Sequence, residues 1–210
     1  MGQKGSQFER DMCRLFSRWV SGGDRDDLFW RTSQSGGRAT ACSRRGAALK
    51  TKGFYGDMAL VGGSDHEAGK LFADSVSVEF KRGYNRVSIQ DLLDLPKRAA
   101  TRTFEYFLEQ AAHDAEESGR LWLLVWKRDS RDPIVVMPHG FGASLSLRTA
   151  RVFEGPLGHH PDFLMRGNTC ISLDTGIVIS LETFFKAIEV KGVPYDTWRT
   201  KERPGPTANG

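Results

Sequence analysis

The sequence predicts an α/β fold in which a mixed central β-sheet is flanked by helices. Three observations predict it: an amphipathic opening helix, later runs with the period-two alternation of strands, and a long helical pattern between two sets of strands. The 210 residues suffice for one domain with its own core and would be cramped as two. We therefore expect a single domain over 1–192 with a basic insertion near 38–53, an irregular insertion near 138–168, and a flexible tail over 193–210.

Phe8, Met12, Leu15, Phe16, Trp19 and Val20 recur at helical spacing and predict a helix over 6–20, with Ser6 as N-cap and Gly22 and Gly23 as its end. "LFWRTSQSGG" then gives a short strand. A second strand is expected over 54–61, closed by Gly62 and Gly63, and a third over 75–81, with a connection short enough for an antiparallel hairpin. Residues 88–118 are helical in pattern, broken at Pro96. Their apolar stripe is Phe104, Phe107, Leu108, Ala111, Ala112 and Ala115, and Gly119 ends it. "LWLLVWK" at 121–127 reads as a buried strand, paired with "PIVVM" at 133–137 across a charged turn. The stretch 138–168 is crowded with glycine and proline and has no clear period. "CISLDTGIVIS" predicts a hairpin turning at 174–176, and Leu181, Phe184, Phe185 and Ile188 mark a last short helix.

No apolar run is long enough to cross a bilayer and the start has no hydrophobic signal region, so we expect a cytoplasmic protein with no membrane partner. Cys13, Cys42 and Cys170 are odd in number and widely spaced, which argues against a disulfide framework and a cysteine zinc site. The net charge of +4 says little, but its distribution says more. Arg31, Arg38, Arg44, Arg45, Lys50 and Lys52 fall between positions 31 and 56 with no acid among them. Such a segment suits a phosphate backbone, though a solvated loop can also be basic.

The chemistry is concentrated in "SVSVEFK". A strand sends alternate side chains to opposite faces, so Val76, Val78 and Phe80 share one face while Ser77, Glu79 and Lys81 share the other. Asp57 interrupts the apolar run of the preceding strand, where an unpaired buried acid is costly. If the two strands pair, Asp57 and Glu79 converge, and two oxygen ligands with water suit Mg²⁺. Lys81 could then orient or deprotonate a water, or neutralise charge on a phosphate. The acid-x-Lys pattern alone is weak, occurring by chance roughly once in a chain of this size. Glu189-Val190-Lys191 is a second copy; at the end of a helical pattern its charges would project about 200° apart. Glu9 has two readings: with Ser6 it fits a capping box, and with Asp57, Glu79 and Lys81 it completes an ordered set of three acids and a lysine.

"KGSQFERDMCRLF", "RTSQSGG", "GDMALVGG", "VSVEFKRG", "GRLWLLVWK" with "PIVVM", and "DTGIVISLETFF" occur in an order that resembles the PD-(D/E)XK nuclease superfamily, most of all its archaeal-type Holliday junction resolvases. The resemblance implies a restriction-endonuclease-like fold and a metal-dependent DNA endonuclease using Mg²⁺, with Mn²⁺ able to substitute. It implies Glu9, Asp57, Glu79 and Lys81 as the catalytic set, with Asp57 and Glu79 as metal ligands, Glu9 supporting the metal or its water, and Lys81 as the catalytic lysine. Ser35 resembles the resolvases' active-site or DNA-contacting serine and is expected to bind DNA, and Gln110 could match a helix glutamine of some members, although a polar residue beside an apolar stripe explains it as well. Lys4, Arg10, Arg31 and Arg82 join Arg38, Arg44, Arg45, Lys50 and Lys52 as expected DNA-phosphate contacts. Junction cleavage implies branched DNA and a homodimer, and "IVISLETFF" is either its surface or ordinary core. Gly56 departs from the superfamily's proline. The alternatives are another nuclease of the superfamily (restriction, anti-phage or recombination exonuclease), a non-catalytic DNA-binding module, or an assembly protein. His159, His160 and Asp162 form a cluster without a frame to fix it.

Overall fold

Helix α1 (Gln3–Val20) buries Phe8, Met12, Cys13, Phe16, Trp19 and Val20 on one stripe, as the spacing predicts. It starts three residues earlier than expected, which puts Ser6 inside the helix and removes its expected capping role. The structure, a computed structural model, describes residues 3–32, 55–61, 64–93, 103–154, 170–174, 176–191 and 198. The basic segment near 38–53, Pro96, Thr175 and the cluster of His159, His160 and Asp162 lie outside them.

A five-stranded sheet forms the centre, in the order β3 (Val76–Arg82), β4 (Leu121–Lys127), β5 (Ile134–Met137), β8 (Gly176–Ser180), β7 (Ile171–Leu173). β3 and β4 are parallel and joined by helix α3 (Phe104–Ser118); the other pairs are antiparallel, so the sheet is mixed, as expected of a restriction-endonuclease-like fold. Thr103 caps α3 and Gly119, at φ 67°, ends it in the left-handed conformation that glycine adopts without strain.

Alternation along the strands divides the core in two. Val76, Val78, Phe80, Leu123, Val125, Val135, Met137, Ile177 and Ile179 face α1 and three further helices: α2 (Glu67–Ser75), α4 (Phe141–Arg148) and α5 (Leu181–Ala187). Phe16, Trp19, Phe72, Phe184 and Phe185 interlock there, with ring centroids of contacting pairs 5.2–6.2 Å apart. The opposite residues Leu124, Trp126, Val136 and Val178 face α3 through Phe104, Phe107, Leu108 and Ala111. No helix among the described residues is long and apolar enough to cross a membrane.

Several expectations are corrected. The strand at 54–61 is only β2 (Met58–Leu60), and it pairs with β1 (Phe29–Arg31) instead of forming a hairpin with β3. Between β2 and β3 lies α2, capped by His66, whose Nδ1 accepts from the Gly69 amide. Part of the stretch read as an irregular insertion at 138–168 is ordered: α4 and β6 (Phe153–Glu154) insert Phe141, Leu145 and Phe153 into the core. Of the two readings of "IVISLETFF", ordinary core holds, since Ile177, Val178, Ile179, Leu181, Phe184 and Phe185 are all buried within one chain. In the tail read as loose, Trp198 is buried, its ring 5.4 Å from that of Phe185. Glu189 also lies on a strand, β9 (Glu189–Val190), so the helical argument against the second Glu-x-Lys does not hold. Glu189 and Lys191 are nevertheless exposed.

Candidate active site

β3 holds Glu79 and Lys81 on the face it turns to α3. Glu79 is only 2 % exposed, and its Oε1 accepts from both Lys81 Nζ and Gln110 Nε2, the latter at 2.9 Å. The Gln110 amide oxygen in turn accepts from Lys81 Nζ at 2.9 Å, closing a ring of three side chains. Glu79 Oε2 is buried and has no hydrogen-bond partner. Such an oxygen costs free energy unless something else binds it.

Asp57 reaches this pair through backbone bonds and not through a hairpin. Its N–H donates to Val78 O at 2.7 Å and its Oδ2 accepts from the Phe80 N–H at 2.8 Å, so it grips β3 on both sides of Glu79. The grip needs Gly56. At φ 77° it is in the left-handed region, and a Cβ there would lie 2.8 Å from both Ser77 Oγ and Val78 O. A proline ring fixes φ near −65°, so the superfamily's proline is incompatible with this turn.

Two residues the sequence reading did not single out hold the same turn. Asp114, one helical turn beyond Gln110, accepts from the Gly56 amide, and its burial raises its carboxyl above the ordinary range. Arg120 donates to Tyr55 O at 2.9 Å, Ala73 O at 3.1 Å and Val76 O at 3.4 Å, so one guanidinium joins the turn, the end of α2 and the start of β3. Gln110 had a signal in sequence, four residues before Asp114 on one helix, but nothing told which neighbour that helix faces.

Glu9 is buried on α1 and pairs with Arg31, Oε2 to Nη1, at 3.0 Å. It therefore serves an ion pair and not a capping box. Thr32 fastens β1 to the same turn, its N–H donating to Asp57 O at 3.0 Å and its Oγ1 to Gly56 O at 2.8 Å. The buried thiol of Cys13 is pushed up to about 12, first by desolvation and then by the charges of Asp57 and Glu9, which both reach it. Asp57, Glu79 and Lys81 thus come together, and Glu9 is linked to them through the Cys13 thiol that its charge and that of Asp57 both reach.

The expected phosphate contacts are dispersed. Arg31 is engaged by Glu9, Arg10 Nη2 donates to Gln7 on the surface of α1, and Arg82 lies over the Phe8 ring, 4.0 Å from Asp129. Lys4 is in α1, its side chain outside the described residues, as are Ser35, Arg38, Arg44, Arg45, Lys50 and Lys52.

Burial raises the Glu79 carboxyl to about 8, helped by Asp57 and opposed by Lys81. Burial pulls the Lys81 ammonium down, but Glu79 outweighs it through charge and hydrogen bond, so its pKa ends above the ordinary value. A carboxyl with a raised folded-state pKa stabilises the fold fully below its unfolded value, near 4.5, and loses that contribution as pH rises through about 8. Metal-free protein should therefore melt at a lower temperature at pH 9 than at pH 6. Glu79→Gln should flatten that slope; differential scanning calorimetry across the range, giving equal slopes for both proteins, would contradict it.

Among the described residues no group of three or more histidine, cysteine or carboxylate side chains is arranged to hold a metal ion. The chemistry of Asp57 and Glu79, two carboxylates, fits a hard divalent cation, since Mg²⁺ takes one or two carboxylates and keeps several waters. The unpartnered Oε2 of Glu79 is the atom such an ion would satisfy.

A family model described as "Phage putative PDDEXK endonuclease" matches residues 2–153, from α1 through β6. No curated protein and no solved structure matches the chain.

Proposed function

Since the chain belongs to the family described as "Phage putative PDDEXK endonuclease", we propose that it is a metal-dependent endonuclease that hydrolyses phosphodiester bonds in DNA, with Asp57, Glu79 and Lys81 as its catalytic centre. The observation that carries the reading is the buried, unpartnered Glu79 Oε2 beside Asp57, in a side-chain ring that also holds a lysine. Asp57 and Glu79 would hold Mg²⁺, or Mn²⁺ in its place, and a bound divalent cation lowers the pKa of water and offsets charge on a phosphate.

Hydrolysis adds a water oxygen to phosphorus and breaks one P–O ester bond, whose oxygen leaves with a proton. Lys81, a cation at neutral pH, offsets the negative charge that grows on the phosphoryl oxygens. Gln110 keeps Lys81 and Glu79 in one orientation, and Glu9 with Arg31 forms an outer shell beside Asp57. DNA is the expected partner and the cytoplasm the expected compartment.

The finer reading is a four-way-junction resolvase acting as a homodimer, since two symmetric cuts call for two copies of the site. Its support is the order of motifs along the chain. A second reading is another endonuclease of the superfamily that cuts linear DNA; the family description names an endonuclease and no substrate form. Purified protein with Mg²⁺ or Mn²⁺ is offered a synthetic four-way junction, linear duplex and single strand. Preferred, paired cuts at the junction support the resolvase; equal cleavage of all three removes that reading and keeps the endonuclease. A folded protein that cuts none of them overturns the enzyme.

A further inference from the structure

The loops that follow β3 and β4 leave the sheet together and are tied to each other. Gly83 N–H donates to Lys127 O at 3.2 Å, and Asn85 and Asp129 exchange two hydrogen bonds at 3.0 and 2.8 Å. The β4–β5 turn carries Arg128 and Arg131 as its first and fourth residues, closed by Arg131 N–H to Arg128 O at 3.3 Å. Ser130 within it has φ 57°, a left-handed conformation, and both arginines line one cavity.

Beside this turn is a cavity of about 340 Å³ lined by Ser88, Ile89, Trp126, Arg128, Arg131, Asp132 and Ile134. Two cations face one carboxylate, so it favours an anion. Arg128 lies over the Trp126 ring at 5.4 Å, which fixes the guanidinium before any ligand arrives. Trp126 is 3 % exposed and its indole Nε1, a donor, has no hydrogen-bond partner.

The cavity is in line with the catalytic strand. Trp126 is the in-register neighbour of Lys81 on β4, and Ile134 is the neighbour of Trp126 on β5. Neighbouring strands lie about 4.8 Å apart, and in-register residues point to the same face. Lys81 Nζ, 5.7 Å from the centre of the Phe107 ring, and Trp126, packed on Phe104, both face α3. Because α3 covers that face, a nucleic-acid strand whose scissile phosphate sits at Lys81 would reach this cavity by passing the tied loops at the ends of β3 and β4. A forked guanidinium suits phosphate oxygens.

We propose that this cavity is a subsite for one nucleotide of the substrate strand flanking the scissile phosphate, with Arg128 and Arg131 taking its phosphate. The proposal rests on the endonuclease reading. It names contacts other than the lysines and arginines to which sequence alone assigned DNA binding.

The test measures binding of a fluorescent duplex oligonucleotide in Ca²⁺ across a salt series, for the parent, for Arg128→Ala/Arg131→Ala, and for the charge-matched Arg148→Ala/Arg151→Ala. Arg148 donates to Gly119 O, at the end of β4 opposite Arg128, so the second variant loses the same charge away from the cavity. Circular dichroism confirms that each variant is folded. The cavity variant should bind roughly tenfold more weakly, with a log–log salt slope smaller in magnitude by about 1 to 2, while the control keeps the parent slope. Parent-like binding by the cavity variant, or an equal loss in the control, overturns the subsite and leaves the endonuclease standing. A parent that binds no DNA overturns the endonuclease reading and the subsite with it.

Discussion

Lys81→Ala is expected to reduce DNA cleavage by about 10²- to 10³-fold, the usual loss when one preorganised group facing developing charge is removed. Glu79→Gln should lose at least as much for a different reason, because it removes an anionic oxygen ligand and keeps the shape. The two variants differ in stability. Glu79→Gln deletes a desolvated acid, so it should melt at or above the parent temperature without metal at pH 9. Lys81→Ala leaves that acid buried with Gln110 alone, and should melt lower. Single-turnover cleavage with thermal unfolding of the same samples checks both. A Lys81→Ala protein that cuts at the parent rate would make the ring of Glu79, Lys81 and Gln110 a structural network only.

Arg120→Ala should be the costliest change away from the chemistry. It removes donors from three backbone carbonyls, those of Tyr55, Ala73 and Val76, and exposes no new partner for them. Hydrogen bonds to a charged group contribute about 1.5–3 kcal/mol each in favourable cases, and they are not additive here, so a loss of about 3 kcal/mol is expected. For a chain of this size that lowers the melting temperature by roughly 6–12 °C. Because Tyr55 is two residues from Asp57, divalent-cation affinity should fall as well. Arg120→Lys should recover only part of both losses, since an ammonium lacks the fork that reaches separate carbonyls. Calorimetric melting and a Mg²⁺ titration decide it; a parent-like melting temperature for Arg120→Ala would remove the bracing role.

Strand alternation was enough to put Glu79 and Lys81 on one face of β3 opposite Phe80, because period two depends only on backbone geometry. The long α3, the buried β4 and the terminal α5 were legible for the same reason: enough apolar residues at one period to exceed the noise. β2 was misread because three residues carry almost no period, and Met58 looks alike whether its partner is β1 or β3. α2 was missed because its buried face is Ala68, Gly69, Phe72 and Ser75, with one large apolar residue among four. Gln110 is ambiguous in sequence because a polar side chain beside an apolar stripe shows its role only once the helix is docked against Glu79. Asp114 and Arg120 act through backbone atoms of Gly56, Tyr55, Ala73 and Val76, which no side-chain pattern can announce.

The thiol of Cys13 is a built-in clock for the detachment of α1. Buried and held protonated, it can meet an alkylating reagent only when that helix lifts from β3. In a chain with Cys42 and Cys170 replaced by serine, the labelling rate of the remaining sulfur therefore times how often α1, which carries Glu9, leaves the sheet. Mass spectrometry can read that rate without any substrate.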